Sequence, residues 1–181
     1  MEGIKVLTFD TGGTVLDWHG GLVAVLAGCA ARRGVERDWH GFANEYRRRS
    51  LRRMLGTVEP SFDIDDVHRD VLDELLNKDG VHGFGQDERR AITARWHELD
   101  TWPDFVPALT RLRRRYVCVS FTILSLSLVI DVSRRNAINW ECRNRVRDAG
   151  RLQTQTRGLS ARRKAPRGVA GRNLDGRLSQ F

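Results

Sequence analysis

This sequence predicts an α/β fold interrupted by a helical insertion, and three observations support that. A short apolar segment, Ile4 to Phe9, runs into the loop Asp10-Thr11-Gly12-Gly13-Thr14. From Trp18 to Asp100 the apolar residues recur at spacings of three and four, with no alternating pattern. A second apolar run, Val117 to Leu124, then reads as another buried strand. Strand, helices and strand in that order describe an α/β core with a cap inserted after its first strand.

In chain order, Ile4–Phe9 is partly β-branched and ends at Asp10, a carboxylate at the end of a strand, where open α/β sheets place their ligands. In the helical block, Leu22, Val25, Leu26 and Cys29 share one face. Phe42, Tyr46 and Leu51 to Leu55 follow, and then Val67, Val71, Leu72, Leu75 and Leu76. Breaks at Gly34, at 56–60 and at 80–85 divide the block into three or four helices. Pro103 suits the first turn of a further helix carrying Val106, Leu109 and Leu112, which stops at Arg113 to Arg115. Ser127 to Asn136 reads as the helix after the second strand.

The chain has 181 residues, with 31 basic and 23 acidic side chains and a net charge of +8. Residues 143–181 hold ten Arg and one Lys against Asp148 and Asp175, a net of +9 that leaves residues 1–142 at −1. The body is therefore not a basic nucleic-acid binder, and nucleic acid is expected as a partner only through the tail. That tail has isolated apolar residues and no aromatic residue before Phe181, so disorder is expected there and base stacking has little to work with. Cys29, Cys118 and Cys142 form no CxxC pair, and the five His form no HxxxH or HExxH pair, so neither a disulfide framework nor a metal site is expected. MEGIKVLTFD lacks the parts of an export signal, and Val117 to Val132 contains four Ser/Thr and Asp131, so a cytoplasmic protein with no membrane span is expected.

The loop at Asp10 carries the sharpest chemical signal. A carboxylate followed by two glycines can serve as a nucleophile beside an anion-holding nest of backbone N–H groups, with Thr14 orienting it; the plainer alternative is a loop in which Asp10 merely caps. Trp18, Trp96 and Trp102 either line the cleft between cap and core or belong to the core. His68 and Arg69 are expected at solvent or at contacts between cap and core.

FDTGGTVLDW resembles the first motif of the haloacid dehalogenase superfamily. FANEYRRR, SFDIDDVHRDVLDELL, WHELDTWPDFVPALTRLRRRY and SFTILSLSLVIDVSRRN resemble, in order, the cap and second motif of its type II 2-haloacid dehalogenase-like branch. The resemblance covers about residues 4 to 142 and implies a Rossmann-like core with a helical cap. On it the core comprises residues 1–16 and 101–142, incomplete at its C-terminal side, with the cap at 17–100 and the basic tail at 143–181.

It further implies that Asp10 is the nucleophile, attacking a halogen-bearing carbon and leaving an ester for water to hydrolyse. Arg47 would receive the halide, with Arg48 and Arg49 leaving that register open by a residue, and Ser125 would hold the substrate's anionic group. Thr14 is carried with them as an orienting catalytic hydroxyl, and Thr11, Gly12 and Gly13 as substrate-binding. Leu126 stands where the branch usually has Asn. Gly12 occupies the place of the second Asp of phosphatase-like members, which an alkoxide leaving group needs and a halide does not. The implied partner is a small anionic 2-haloacid, with no cofactor and no metal, and a homodimer is allowed.

The family pattern continues with another strand, a lysine and an acidic motif, none recognisable after Cys142; Lys164 and Asp175 read as tail residues. A change of coding frame near Glu141 to Arg143 accounts for the break, and a natural basic tail is the alternative. Three readings follow: a 2-haloacid dehalogenase, an inactive truncated relative or basic-tailed binding protein, and a phosphatase of the same superfamily.

Overall fold

In the computed structural model, which describes residues 3–56 and 63–145, three strands stand side by side and parallel. They are β1 (Val6–Phe9), β2 (Val117–Thr122) and β3 (Cys142–Arg145), with β2 in the middle. Val6 pairs with Val117 and Phe9 with Ser120; Val119 pairs with Cys142 and Thr122 with Arg145. Cys118, Val119, Ser120 and Thr122 are buried, as a central parallel strand requires.

Parallel neighbours cannot be joined by a tight turn. The connection from β1 to β2 carries α1 (Trp18–Arg33), α2 (Trp39–Gly56), α3 (Ile64–Lys78), α4 (Gln86–Ala94), a 3-10 turn at Arg95–Glu98, and α5 (Phe105–Leu112); α6 (Leu126–Arg135) joins β2 to β3. This is the α/β class with a helical insertion that the sequence predicts. The boundaries follow local chemistry. Asp17 caps α1 by accepting from the Gly20 N–H, and Gly34 ends it in the left-handed region at φ 63°, donating to the Ala30 carbonyl. Asp63 and Ser125 cap α3 and α6 in the same way.

Two expectations need correction. Pro103 does not open a helix: α5 begins at Phe105 after Asp104, because the Phe105 N–H closes a turn on the Trp102 carbonyl. The strand expected to be missing after Cys142 is present as β3, so residues 143–145 belong to the sheet and not to the tail. The expected tail beyond Arg145 lies outside the described residues, as do residues 57–60 of the expected break at 56–60.

The two chain crossings between the sheet and the helical block run side by side. Leu16 and Thr101 form an antiparallel bridge, the Asp17 N–H donates to the Asp100 carbonyl (2.9 Å) and the Trp102 N–H to the Val15 carbonyl (3.1 Å). Asn136, at the end of α6, pins the second crossing: its amide donates to the Leu99 carbonyl and its oxygen accepts from the Thr101 N–H.

His97 adds an ionic tie at this seam. Its Nδ1 lies 2.7 Å from Asp131 on α6 and its Nε2 3.3 Å from Asp65 on α3. Burial works against charge on the ring, but Asp131 and Asp65 outweigh it and the pKa is raised. Folding thus favours the protonated ring. That stabilisation is complete below the unfolded value of about 6.5 and is lost as pH rises through the folded value. His97→Gln is expected to lower the melting midpoint more at about pH 5.5 than at about pH 8.5. Equal losses at both pH values in thermal melts would refute the assignment.

Candidate active site

Because β1 and β2 are parallel, their C-terminal ends share one edge of the sheet. Asp10 follows Phe9 there and Ser125 lies three residues beyond Thr122, so both expected site residues come to the same edge. Asp10 is solvent-exposed, and the Thr14 hydroxyl donates to it over 3.4 Å, a long and weak contact.

The loop between them folds on itself. The Gly13 N–H donates to the Thr11 carbonyl (2.9 Å), as does the Leu16 N–H (3.2 Å). Gly13 sits at φ 143°, a region where side chains are strained. Of the N–H groups of the expected nest, that of Gly13 is spent within the loop, and two of the loop's carbonyls accept from side chains outside it. Gly12 O accepts from Arg47 Nη2 at 2.9 Å and Gly13 O accepts from Trp102 Nε1 at 3.1 Å. Thr11 is also corrected. Its side chain is fully buried and shares a 2.8 Å hydrogen bond with Ser120 on β2, so its hydroxyl faces the core and not a substrate.

Arg47 projects from α2 and is the arginine of its run that meets the loop. Arg48 and Arg49 instead pair with Glu45, whose pKa their hydrogen bonds hold down at about 2. The Arg47 guanidinium lies 5.8 Å from the Trp18 ring centroid and 5.6 Å from that of Trp96. Its Nη1 is buried with no partner among the described residues. Burial works against its charge while nearby Asp10 favours it, and the net shift of its pKa is downward.

Ser125 is nearly buried. Its hydroxyl accepts from the Leu128 N–H (3.2 Å) and meets Ser127 Oγ at 3.0 Å, which makes it the start of α6 as well as a group at the sheet edge. Leu126 beside it is exposed. Among the three tryptophans, Trp96 is core at 1 % exposure, Trp18 is half-buried, and Trp102 is 42 % exposed.

Gly12 has a steric role as well. A Cβ there would stand 3.2 Å from Arg47 Nη2 and 3.6 Å from Leu124 Cδ1, so the space a side chain would take is held by the cation. Gly12→Ala is expected to push Arg47 aside by a few tenths of an ångström. Any turnover should then fall by about tenfold, with little change in the melting midpoint. Unchanged turnover would show that Arg47's placement is unimportant.

Sequence reasoning missed His68. It is 1 % exposed, not at solvent, and stacks on Trp96 with ring centroids 4.1 Å apart and planes 2° from parallel. Trp96 Nε1 donates to the Tyr46 hydroxyl (3.1 Å), which donates to the His68 carbonyl (2.9 Å). Helical spacing carried the signal: His68 is four residues from both Ile64 and Leu72, on the apolar face.

An exposed carboxylate beside a half-buried cation can attack an electrophilic carbon and receive the anion it displaces. Among the described residues no group of three or more His, Cys, Asp or Glu is placed to hold a metal ion. Nor is any described helix long and apolar enough to cross a membrane.

No protein-family model matches the sequence, and no curated protein does. Solved structures do match. A crystal structure of a defluorinating L-2-haloacid dehalogenase aligns with a TM-score of 0.72 at 28% identity, over 87% of this chain and 69% of that one. A second L-2-haloacid dehalogenase aligns with a TM-score of 0.70 at 23% identity, over 79% of this chain and 62% of that one. The L-2-haloacid dehalogenase from Xanthobacter autotrophicus gives 0.65 at 17%, over 82% and 59%. The chain therefore spans between 59% and 69% of the length of these proteins.

Proposed function

We propose, for a chain whose fold is that of the haloacid dehalogenase superfamily in its type II 2-haloacid dehalogenase-like form, a hydrolase acting on a small 2-halocarboxylate. A carboxylate oxygen of Asp10 attacks the halogen-bearing carbon. The carbon–halogen bond breaks and its electron pair leaves with the halide. Water then adds to the Asp10 carbonyl carbon, and cleavage of the acyl C–O bond frees a 2-hydroxy acid and restores Asp10. Thr14 orients Asp10, Ser125 meets the substrate's carboxylate and Arg47 receives the halide.

The observation that carries this reading is the Arg47 guanidinium, bonded to the Gly12 carbonyl two residues past Asp10, with its buried Nη1 left without a partner among the described residues. Gly12 favours halide over alkoxide as leaving group, since it supplies no general acid. Free-halide assays on a short 2-haloacid with wild type and Asp10→Asn test the reading; equal release by both refutes it.

A specific observation favours a second reading, an inactive relative. The described lysines are Lys5, before β1 and at the opposite end of the strand from Asp10, and Lys78 at the end of α3. Neither stands at the edge where a cation would steady the nucleophile. On this reading a protein that melts cooperatively releases no halide from any short 2-haloacid, and 2-haloacids leave its midpoint unchanged.

A further inference from the structure

The tetrapeptide Asp-Trp-His-Gly occurs twice, at 17–20 and at 38–41, and both copies fold alike. Each Asp accepts from the N–H of its own Gly, Gly20 to Asp17 Oδ1 at 2.8 Å and Gly41 to Asp38 Oδ1 at 2.9 Å, so each copy starts a helix. Each Trp is then the first residue of that helix, α1 or α2, and each His the second. The two helix starts meet at the surface, where His19 Nε2 lies 3.0 Å from His40 Nδ1. His40 is exposed and His19 half-buried. Because 21 positions separate the two, no HxxxH spacing announces the pair.

We propose that His19 and His40 are the two protein ligands of a site for a divalent transition-metal ion of the nickel, copper and zinc group. Among the described residues no third His, Cys, Asp or Glu joins them, so water fills the ion's other positions. Imidazole nitrogen suits these ions, whereas Mg²⁺ takes oxygen ligands. Two nitrogens bound at about 2.0–2.1 Å and at right angles to each other stand about 2.8–3.0 Å apart, a separation the pair already has. As a hydrogen-bonded pair the nitrogens face each other, and one of them carries a proton. To share an ion, that proton shifts to the other nitrogen of its own ring, so both facing nitrogens present lone pairs. The rings then tilt toward a point beside the line between them, and their place at the surface leaves room for the tilt and for the waters.

The tryptophans of the two copies hold the helix starts in place. Trp39 is buried and stacks on Phe84 with ring centroids 5.6 Å apart, and the Trp18 and His19 rings meet at right angles with centroids 5.3 Å apart. Ligands fixed in this way lose little freedom when an ion binds, and the second imidazole engages intramolecularly. Calorimetric titration of Ni²⁺ into the full chain, carrying no added histidine tag, is expected to show one equivalent bound. His19→Gln and His40→Gln should each weaken that binding about a hundredfold. Wild-type affinity in either variant overturns the proposal.

Mg²⁺ at the same concentrations should give no binding heat, and Mg²⁺ bound as tightly as Ni²⁺ would mark an oxygen site and overturn the proposal. Asp10→Asn should bind Ni²⁺ as wild type does; loss of binding there would move the ion to the end of β1 and overturn it too. Should a histidine variant not melt cooperatively, the wild-type protein decides. On titration with Zn²⁺ the ring nitrogen resonances of His19 and His40 must shift together and saturate, and unmoved resonances overturn the proposal.

Discussion

Asp10→Asn is expected to reduce halide release by at least about a thousandfold, equivalent to ~4 kcal/mol of barrier. An amide oxygen carries no charge and is a poor nucleophile, so the covalent step has no substitute route through this residue. The geometry suggests that the loss would be chemical and not structural. Asp10 is exposed, its hydrogen bond from Thr14 is 3.4 Å long, and it is not among the buried core residues. The melting midpoint should therefore stay within a few degrees of wild type. Turnover in 18O-labelled water supplies a second readout, because hydrolysis at the Asp10 carbonyl leaves solvent oxygen in the protein. A peptide containing Asp10 should gain about two mass units per incorporated oxygen after one turnover. Label appearing only in the hydroxy-acid product of the first turnover would exclude the ester.

Trp96→Ala should bring the largest loss of stability, about 3–5 kcal/mol. The indole is almost fully buried and meets three groups at once: the stacked His68, the edge of Tyr46 with its hydroxyl, and the Arg47 guanidinium. Removing it opens a cavity in the helical block, takes the donor from the Tyr46 hydroxyl and strips the cation of an aromatic face. With total stability of ordinary domains at about 5–15 kcal/mol, such a loss consumes much of the margin. Trp96→Phe keeps a ring for His68 but not the N–H, and should lose about 1–2 kcal/mol. Urea midpoints at constant slope measure both, and a Trp96→Ala loss below about 1 kcal/mol would show that the cluster is not a stability centre.

Much of the fold was legible because its cues are local. The spacing of Val67, Val71, Leu72 and Leu75 marks a helix by itself, as the Asp-Thr-Gly-Gly ending marks the close of a strand. β3 was not legible. Its residues, Cys-Arg-Asn-Arg, show neither β-branching nor an alternating pattern, and its order comes from backbone pairing with β2. Pro103 misled for a related reason: its ring is compatible with a helix start, but the turn closed by Trp102 and Phe105 decides where α5 begins.

At the candidate site the division is sharper. Residue types at Asp10, Gly12, Arg47 and Ser125 are written in the chain, and their chemistry could be weighed from those letters. That Thr11 turns inward to Ser120, that Arg48 and Arg49 are occupied by Glu45, and that His68 lies on Trp96 depends on residues up to 109 positions apart. By itself, then, the sequence determined the succession of elements from β1 to α6, the carboxylate at the end of β1 and the absence of a side chain at Gly12. Only the tertiary structure decided which arginine meets the Asp10 loop, which loop groups are already spent, and that His68 stacks on the Trp96 indole near which Arg47 also lies. Helical and strand periodicity reports which face of each element is apolar, whereas hydrogen-bond partners and stacked rings are set by how distant faces pack together.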